Sequence, residues 1–169
     1  MAVGSEYDPI APMVALADAG VDFVVIGGVA ALIHGSAQLT FDLDIAYRRV
    51  DSNLGKLADV LRSLNARLRD APADASCQLD ARTLRAGANF TFVTDRGSVD
   101  ILGDPAGAPP YDRLRADSVV HIVDGRAIRF SSIDHLIAMK EATGQPKDKN
   151  AAAELRTLAD EIRRREAEG

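Results

Sequence analysis

One α/β (α+β) domain, a small mixed β-sheet flanked by helices, is what these 169 residues predict. Three observations carry the prediction. Short β-branched runs bounded by glycine, such as VDFVVIGG from Val21, alternate with segments whose apolar residues recur at helical spacing. Asp124-Gly125, between VVHIV and RAIRF, is a strong hairpin signal. The composition, 47% hydrophobic and 27% charged, is that of an ordinary globular protein long enough to bury a core. No repeat and no Gly/Ser/Pro-rich linker divides the chain. A single domain is expected over 1–169, with a core at about 10–130 and a helical part at about 131–166.

In order, residues 10–19 read as a helix closed by Gly20, and the run from Val21 reads as a buried strand. Val29, Leu32 and Ile33 then mark one helix face before Gly35. FDLDIAY, from Phe41, alternates: Phe41, Leu43, Ile45 and Tyr47 point one way, and Asp42, Asp44 and Ala46 the other. Asp51 or Ser52 caps a helix with Leu54, Leu57, Leu61, Leu64 and Leu68 on its core side. Residues 70–87 read as loop with at most one short strand, and ANFTFVT and SVDIL as strands joined by Asp95-Arg96-Gly97. GDPAGAPPYDR, from Gly103, carries three prolines and predicts irregular chain. After the Asp124-Gly125 hairpin, Ser131 with Asp134 forms a capping box for a helix that Gly144 closes, and Pro146 opens a last helix ending near Arg165.

The formal net charge of −5 gives the whole surface no attraction for nucleic acid or an anionic membrane, so such a partner needs a local basic patch. A lone cysteine, Cys77, forms no intrachain disulfide. With no export signal and no membrane-length apolar run, a soluble cytoplasmic protein is expected.

Chemistry concentrates in GGVAALIHGSAQLTFDLD, residues 27–44. Gly27 and Gly28 end a strand where a helix starts; their bare amides suit either a close-packed turn or a phosphate. Neither a dinucleotide fingerprint nor a P-loop surrounds them. Asp42 and Asp44 share one face of one strand, either as a solvated edge or as a pair whose repulsion, about 1–4 kcal/mol, a divalent cation such as Mg²⁺ relieves.

The pattern of strand, Gly27-Gly28, helix and Asp42-Leu43-Asp44-Ile45 resembles the nucleotidyltransferase superfamily, whose third carboxylate on a later strand is matched by Asp100 in Ser98-Val99-Asp100-Ile101. IGGVAALIHG with LTFDLDI, and DHLIAMKEATGQPKDKNAAAEL near the C-terminus, are similar to bacterial AbiEii-type toxins. The resemblance implies the superfamily's fold and transfer of an NMP from an NTP to a hydroxyl acceptor, with a tRNA 3′ end as the acceptor class and a cognate antitoxin as partner. It implies Asp42, Asp44 and Asp100 as catalytic residues and ligands of two Mg²⁺ (or Mn²⁺) ions, with Gly27 and Gly28 on the β and γ phosphates. Such toxins often carry arginine where this chain has Gln38 and Gln145, which implies either a looser grip on the nucleotide or a different substrate. A small-molecule (antibiotic) nucleotidyltransferase would use the same core, and a catalytically silent binding or antitoxin module would share the fold.

Lys140 and Lys147 flank the junction of the last two helices, as surface lysines or phosphate ligands. Asp148 either pairs with one of them or caps the last helix. Ser36 and Thr40 are placed either to bond phosphate or to cap local backbone. His34, His121 and His135 stand in separate elements and carry no metal role. Arg163-Arg164-Arg165 reads as a solvated helix end.

Overall fold

The computed structural model describes residues 7–72 and 79–169; Cys77 lies outside them. Helix α1 (Ile10–Asp18) leads into β1 (Phe23–Ile26), whose four residues are all buried. Without a turn residue between them, α2 (Gly27–Ile33) begins where β1 ends. Only Val29 and Ala30 of α2 are buried, and Leu32 and Ile33 stay well exposed. Seven residues are too few to carry the whole predicted apolar face into the core.

β2 (Asp42–Tyr47) buries Leu43, Ile45 and Tyr47. Phe41 precedes the strand and departs from the expected alternation, being 69% exposed. α3 (Asp51–Ser63) buries Leu54, Leu57 and Leu61. Its N-cap is Val50, without a side-chain cap; Asp51 pairs with Arg85 instead, and Ser52 caps nothing. The helix stops before Leu68, because Asn65 takes a left-handed φ of 54° and turns the chain into β3 (Arg67–Leu68).

Part of the predicted 70–87 loop is a helix, α4 (Ala81–Ala86), capped by Asp80, whose carboxylate accepts from the Thr83 N–H at 2.8 Å. β4 (Asn89–Thr94) and β5 (Gly97–Leu102) form the expected hairpin. The proline-rich segment is irregular only up to Pro110, where α5 (Tyr111–Ala116) starts; proline tolerates that boundary position. β6 (Val119–Val123) and β7 (Arg126–Phe130) pair around Asp124 and Gly125, both at positive φ as this turn requires. α6 (Ile133–Thr143) is capped by Ser132, not Ser131: the Ser132 hydroxyl accepts from the His135 N–H, and Asp134 binds Arg163. Ser131 is buried, its N–H donating to the Val25 carbonyl and extending the sheet. α7 runs Pro146–Glu168.

The described strands form one mixed sheet in the order β3-β4-β5-β2-β1-β7-β6. Its centre decides the position of the site. β2 runs antiparallel to β1, with Ile26 opposite Asp44, and parallel to β5, with Asp44 opposite Asp100. α2 packs over β1 and β2 and touches α6, which lies along α7. No helix among the described residues is long and apolar enough to cross a membrane.

Candidate active site

β2 is a strand because β-branched and aromatic residues fill its core face; the opposite face is then free to carry Asp42 and Asp44. Parallel pairing sets Asp100 beside Asp44, so two carboxylates meet on adjacent strands. One oxygen of each, Asp44 Oδ1 and Asp100 Oδ1, is buried without a hydrogen-bond partner. Burial first, then the charge and hydrogen bond of Asp100 and the charge of Asp42, push the Asp44 carboxyl up to about 8, with Lys140 opposing.

Gly27 completes the arrangement. Its φ is +68°, a conformation that side chains resist, and a Cβ there would collide with the Asp44 carboxylate. A Cβ on Gly28 would come within 2.7 Å of Thr40. Both glycines are therefore demanded by close approach, as a close-packed turn requires.

Asp44 opens onto a cavity of about 400 Å³ between the 36–42 loop, β2, α6 and α7. Gly28, Ser36, Thr40, Asp42, Lys140 and Lys147 all line it; Gly27 and Asp100 adjoin Asp44 without lining it. Ser36 and Thr40 make local bonds, the Ser36 hydroxyl accepting from the Gln38 N–H at 3.2 Å and the Thr40 hydroxyl donating to the Asp42 carbonyl at 3.2 Å. Of the two roles open to Asp148, pairing is the one found: it accepts from the Thr143 hydroxyl at 2.5 Å and faces Lys140 at 3.6 Å. The Thr143 bond leads in holding its carboxyl below the usual range, against partial desolvation and with help from Lys140.

Sequence reasoning missed Arg69, which reaches Asp42 at 3.6 Å, and Glu154, which accepts from Gln38 across the cavity. No local signal announces either, since each contact joins segments far apart in the chain. Among the described residues, no three His, Cys, Asp or Glu side chains converge into a ready-made metal cage. What fits a hard cation is the buried Asp44–Asp100 pair, with two oxygens lacking donors and a charge excess that local cations do not cancel. His34 instead bonds the Ser131 carbonyl at 2.8 Å, tying α2 to the start of α6.

The architecture has close counterparts among solved structures. The antibiotic-resistance factor ANT(2″)-Ia in solution is 17% identical, over 94% of this chain and 91% of its own, with a TM-score of 0.53. The chain has the nucleotidyltransferase fold. The candidate nucleotidyltransferase TM1012 of Thermotoga maritima agrees, at 16% identity, 89% coverage of both chains and a TM-score of 0.52. So does crystalline ANT(2″)-Ia in complex with adenylyl-2″-tobramycin, at 15% identity over 91% of this chain and 94% of that one, TM-score 0.52. No family model and no curated protein matches the sequence. On the nucleotidyltransferase fold, then, the Asp44–Asp100 pair lies on the two central parallel strands, under the Gly27-Gly28 turn.

Proposed function

We propose that this chain is a Mg²⁺-dependent nucleotidyltransferase that moves an NMP from an NTP to a hydroxyl acceptor. The observation that carries the reading is the pair of buried, partnerless oxygens on Asp44 and Asp100 beside a cavity that also presents two lysines. Crowded acids destabilise a fold, and a site keeps them where a cation or a proton transfer uses them.

Asp44 and Asp100 would hold the metal, with Asp42 able to join them once it leaves Arg69, to which it is joined only through a 3.6 Å pair of the kind that contributes little. Mg²⁺, when bound there, screens the triphosphate charge and lowers the pKa of the attacking hydroxyl. Asp100 orients that hydroxyl and takes its proton. The acceptor oxygen bonds to the α-phosphorus as the α–β bridging bond breaks, and pyrophosphate leaves. Lys140 and Lys147 bind phosphate oxygens, and Gly27 and Gly28 offer backbone N–H groups to them. Positioning and charge screening supply the catalysis, so no covalent enzyme intermediate is invoked.

The similarity to AbiEii-type toxins supports a tRNA 3′ end as acceptor and an antitoxin as partner. A second reading, a small hydroxylated acceptor, is supported by the tobramycin product bound to one structural neighbour and by the acidic Asp42, Asp148 and Glu154 around the cavity, which suit a cationic acceptor. Incubating the protein with each α-labelled NTP, Mg²⁺, and separate pools of tRNA, protein extract and aminoglycosides decides between them. Label should appear in one pool and vanish with Asp44→Ala; identical behaviour of both proteins in every pool would overturn the proposal.

A further inference from the structure

The cavity is divided in its chemistry. Its lining carries the charged Asp42, Asp44, Lys140 and Lys147 and, beside them, two large apolar side chains open to solvent, Leu39 and Phe41, 87% and 69% exposed. Packing does not call for either side chain. Leu43, Ile45 and Tyr47 go into the core from β2, and Phe41, one residue before the strand, stands at the cavity instead.

Phe41 is also braced. The ring of Tyr7 meets it edge-on, at 6.2 Å and 64° between planes, and the Tyr7 hydroxyl donates to the Asp42 carbonyl at 3.4 Å. One aromatic ring is thus held in the lining of a charged cavity, open to solvent. Exposed large apolar groups beside a polar pocket are the usual anchors of a bound ligand.

We infer that Phe41 is the platform on which the nucleobase of the bound NTP stacks, with Leu39 beside it. This rests on the nucleotidyl-transfer reading above. The base is the uncharged, planar end of such a molecule, and the triphosphate belongs with the lysines and carboxylates. Phe41 lies three positions before Asp44, at most about 10 Å along the chain at about 3.3 Å per residue, a span that accommodates a ribose. Because every base has a π-face, a platform of this kind holds purine and pyrimidine nucleotides alike and leaves base choice to other contacts.

The test uses the full chain with Mg²⁺ and compares ATP, CTP and inorganic tripolyphosphate by calorimetry. Phe41→Ala should weaken ATP about tenfold and leave tripolyphosphate within about twofold, since only the former has a base to stack. The chain contains no tryptophan, so Phe41→Trp installs a single reporter. Its emission should be quenched by ATP and CTP and not by tripolyphosphate. Equal affinity of wild type and Phe41→Ala for ATP overturns the inference while the transfer reading stands. So does a parallel loss for ATP and tripolyphosphate, which would mark Phe41 as structural. If the wild type binds neither ligand, the transfer reading fails and takes this inference with it.

Discussion

Asp22 and Asp44 stand at opposite ends of β1, one just before its first residue and the other paired with its last, and they live in opposite electrostatic surroundings. Asp22 accepts from Arg48 Nε at 2.6 Å and from the Tyr111 hydroxyl at 2.6 Å, and Arg115 lies 3.3 Å away. Asn53, buried beneath, ties its backbone down at 2.7 and 3.0 Å. Burial works to raise the Asp22 carboxyl, but these bonds and charges outweigh it and hold it below the ordinary value. Asp44 has a second carboxylate where Asp22 has cations, and its carboxyl is pushed up. The same residue type fastens the fold at one end and is a liability at the other. A liability at the centre of the sheet is the mark of a site whose counter-charge arrives with a ligand.

The contrast breaks most visibly by mutation. On the proposed reading, Asp44→Asn should reduce NMP transfer at least about a thousandfold, because the pair would both hold the metal and move the proton. In metal-free buffer at about pH 8 and above, where Asp44 ionises, the same variant should melt at or above the wild-type temperature, since one of two crowded anions is gone. Asp22→Asn should do the reverse, losing about 1–2 kcal/mol of stability to denaturant while kcat stays near wild type. A destabilised Asp44→Asn at about pH 8 in the presence of EDTA would contradict the comparison.

Titration sharpens the same point. Asp44 ionises at about pH 8 in the folded protein and at ordinary carboxylate pH in the unfolded chain, so the folded state holds the extra proton between about pH 4 and about pH 8. Its contribution to stability therefore falls as pH rises through that window. Asp22, with a lowered folded value, contributes stability above the ordinary carboxylate range and loses it as pH falls. Melting temperature against pH in EDTA should show wild type dropping relative to Asp44→Asn toward pH 8. Mg²⁺ should raise the wild-type melting temperature at pH 8 and leave the variant unmoved.

Which of these features can be read from the sequence follows from their range. The strand–glycine–helix junction, the shared face of Asp42 and Asp44, and the Asp124-Gly125 hairpin are local patterns. Placing Asp100 beside Asp44 needed the family resemblance, because parallel register between distant strands has no local code. Arg69 on Asp42 and Glu154 on Gln38 are long-range contacts and left no trace. The helix at 81–86 did leave one: Asp80 three residues before Thr83 is a capping pattern, hidden in a segment whose Ala and Arg content gave no periodicity. The one-residue shift from Ser131 to Ser132 arose because Ser131 is spent on extending the sheet.

Gly27 carries the next largest effect. Alanine there must adopt φ of +68° and meet the Asp44 carboxylate, so Gly27→Ala should destabilise by about 1–3 kcal/mol and lower kcat together. Gly28→Ala meets only the Thr40 side chain and should be milder, and a Gly28→Ala/Thr40→Ser pair should recover part of the loss.

The smallest expected effects come from the two lysines that line the cavity. Lys140→Met and Lys147→Met should each raise the NTP KM about tenfold with a lesser change in kcat, as loss of one charge-assisted phosphate contact would. Asp148 acts here through Lys140, which it pairs with at 3.6 Å, and is itself fixed by Thr143. Asp148→Asn should then raise KM about threefold and, combined with Lys140→Met, add nothing further. Additive losses in that double variant would give Asp148 a role of its own in the cavity, and the line between fastening and functional carboxylates would have to be redrawn through α7.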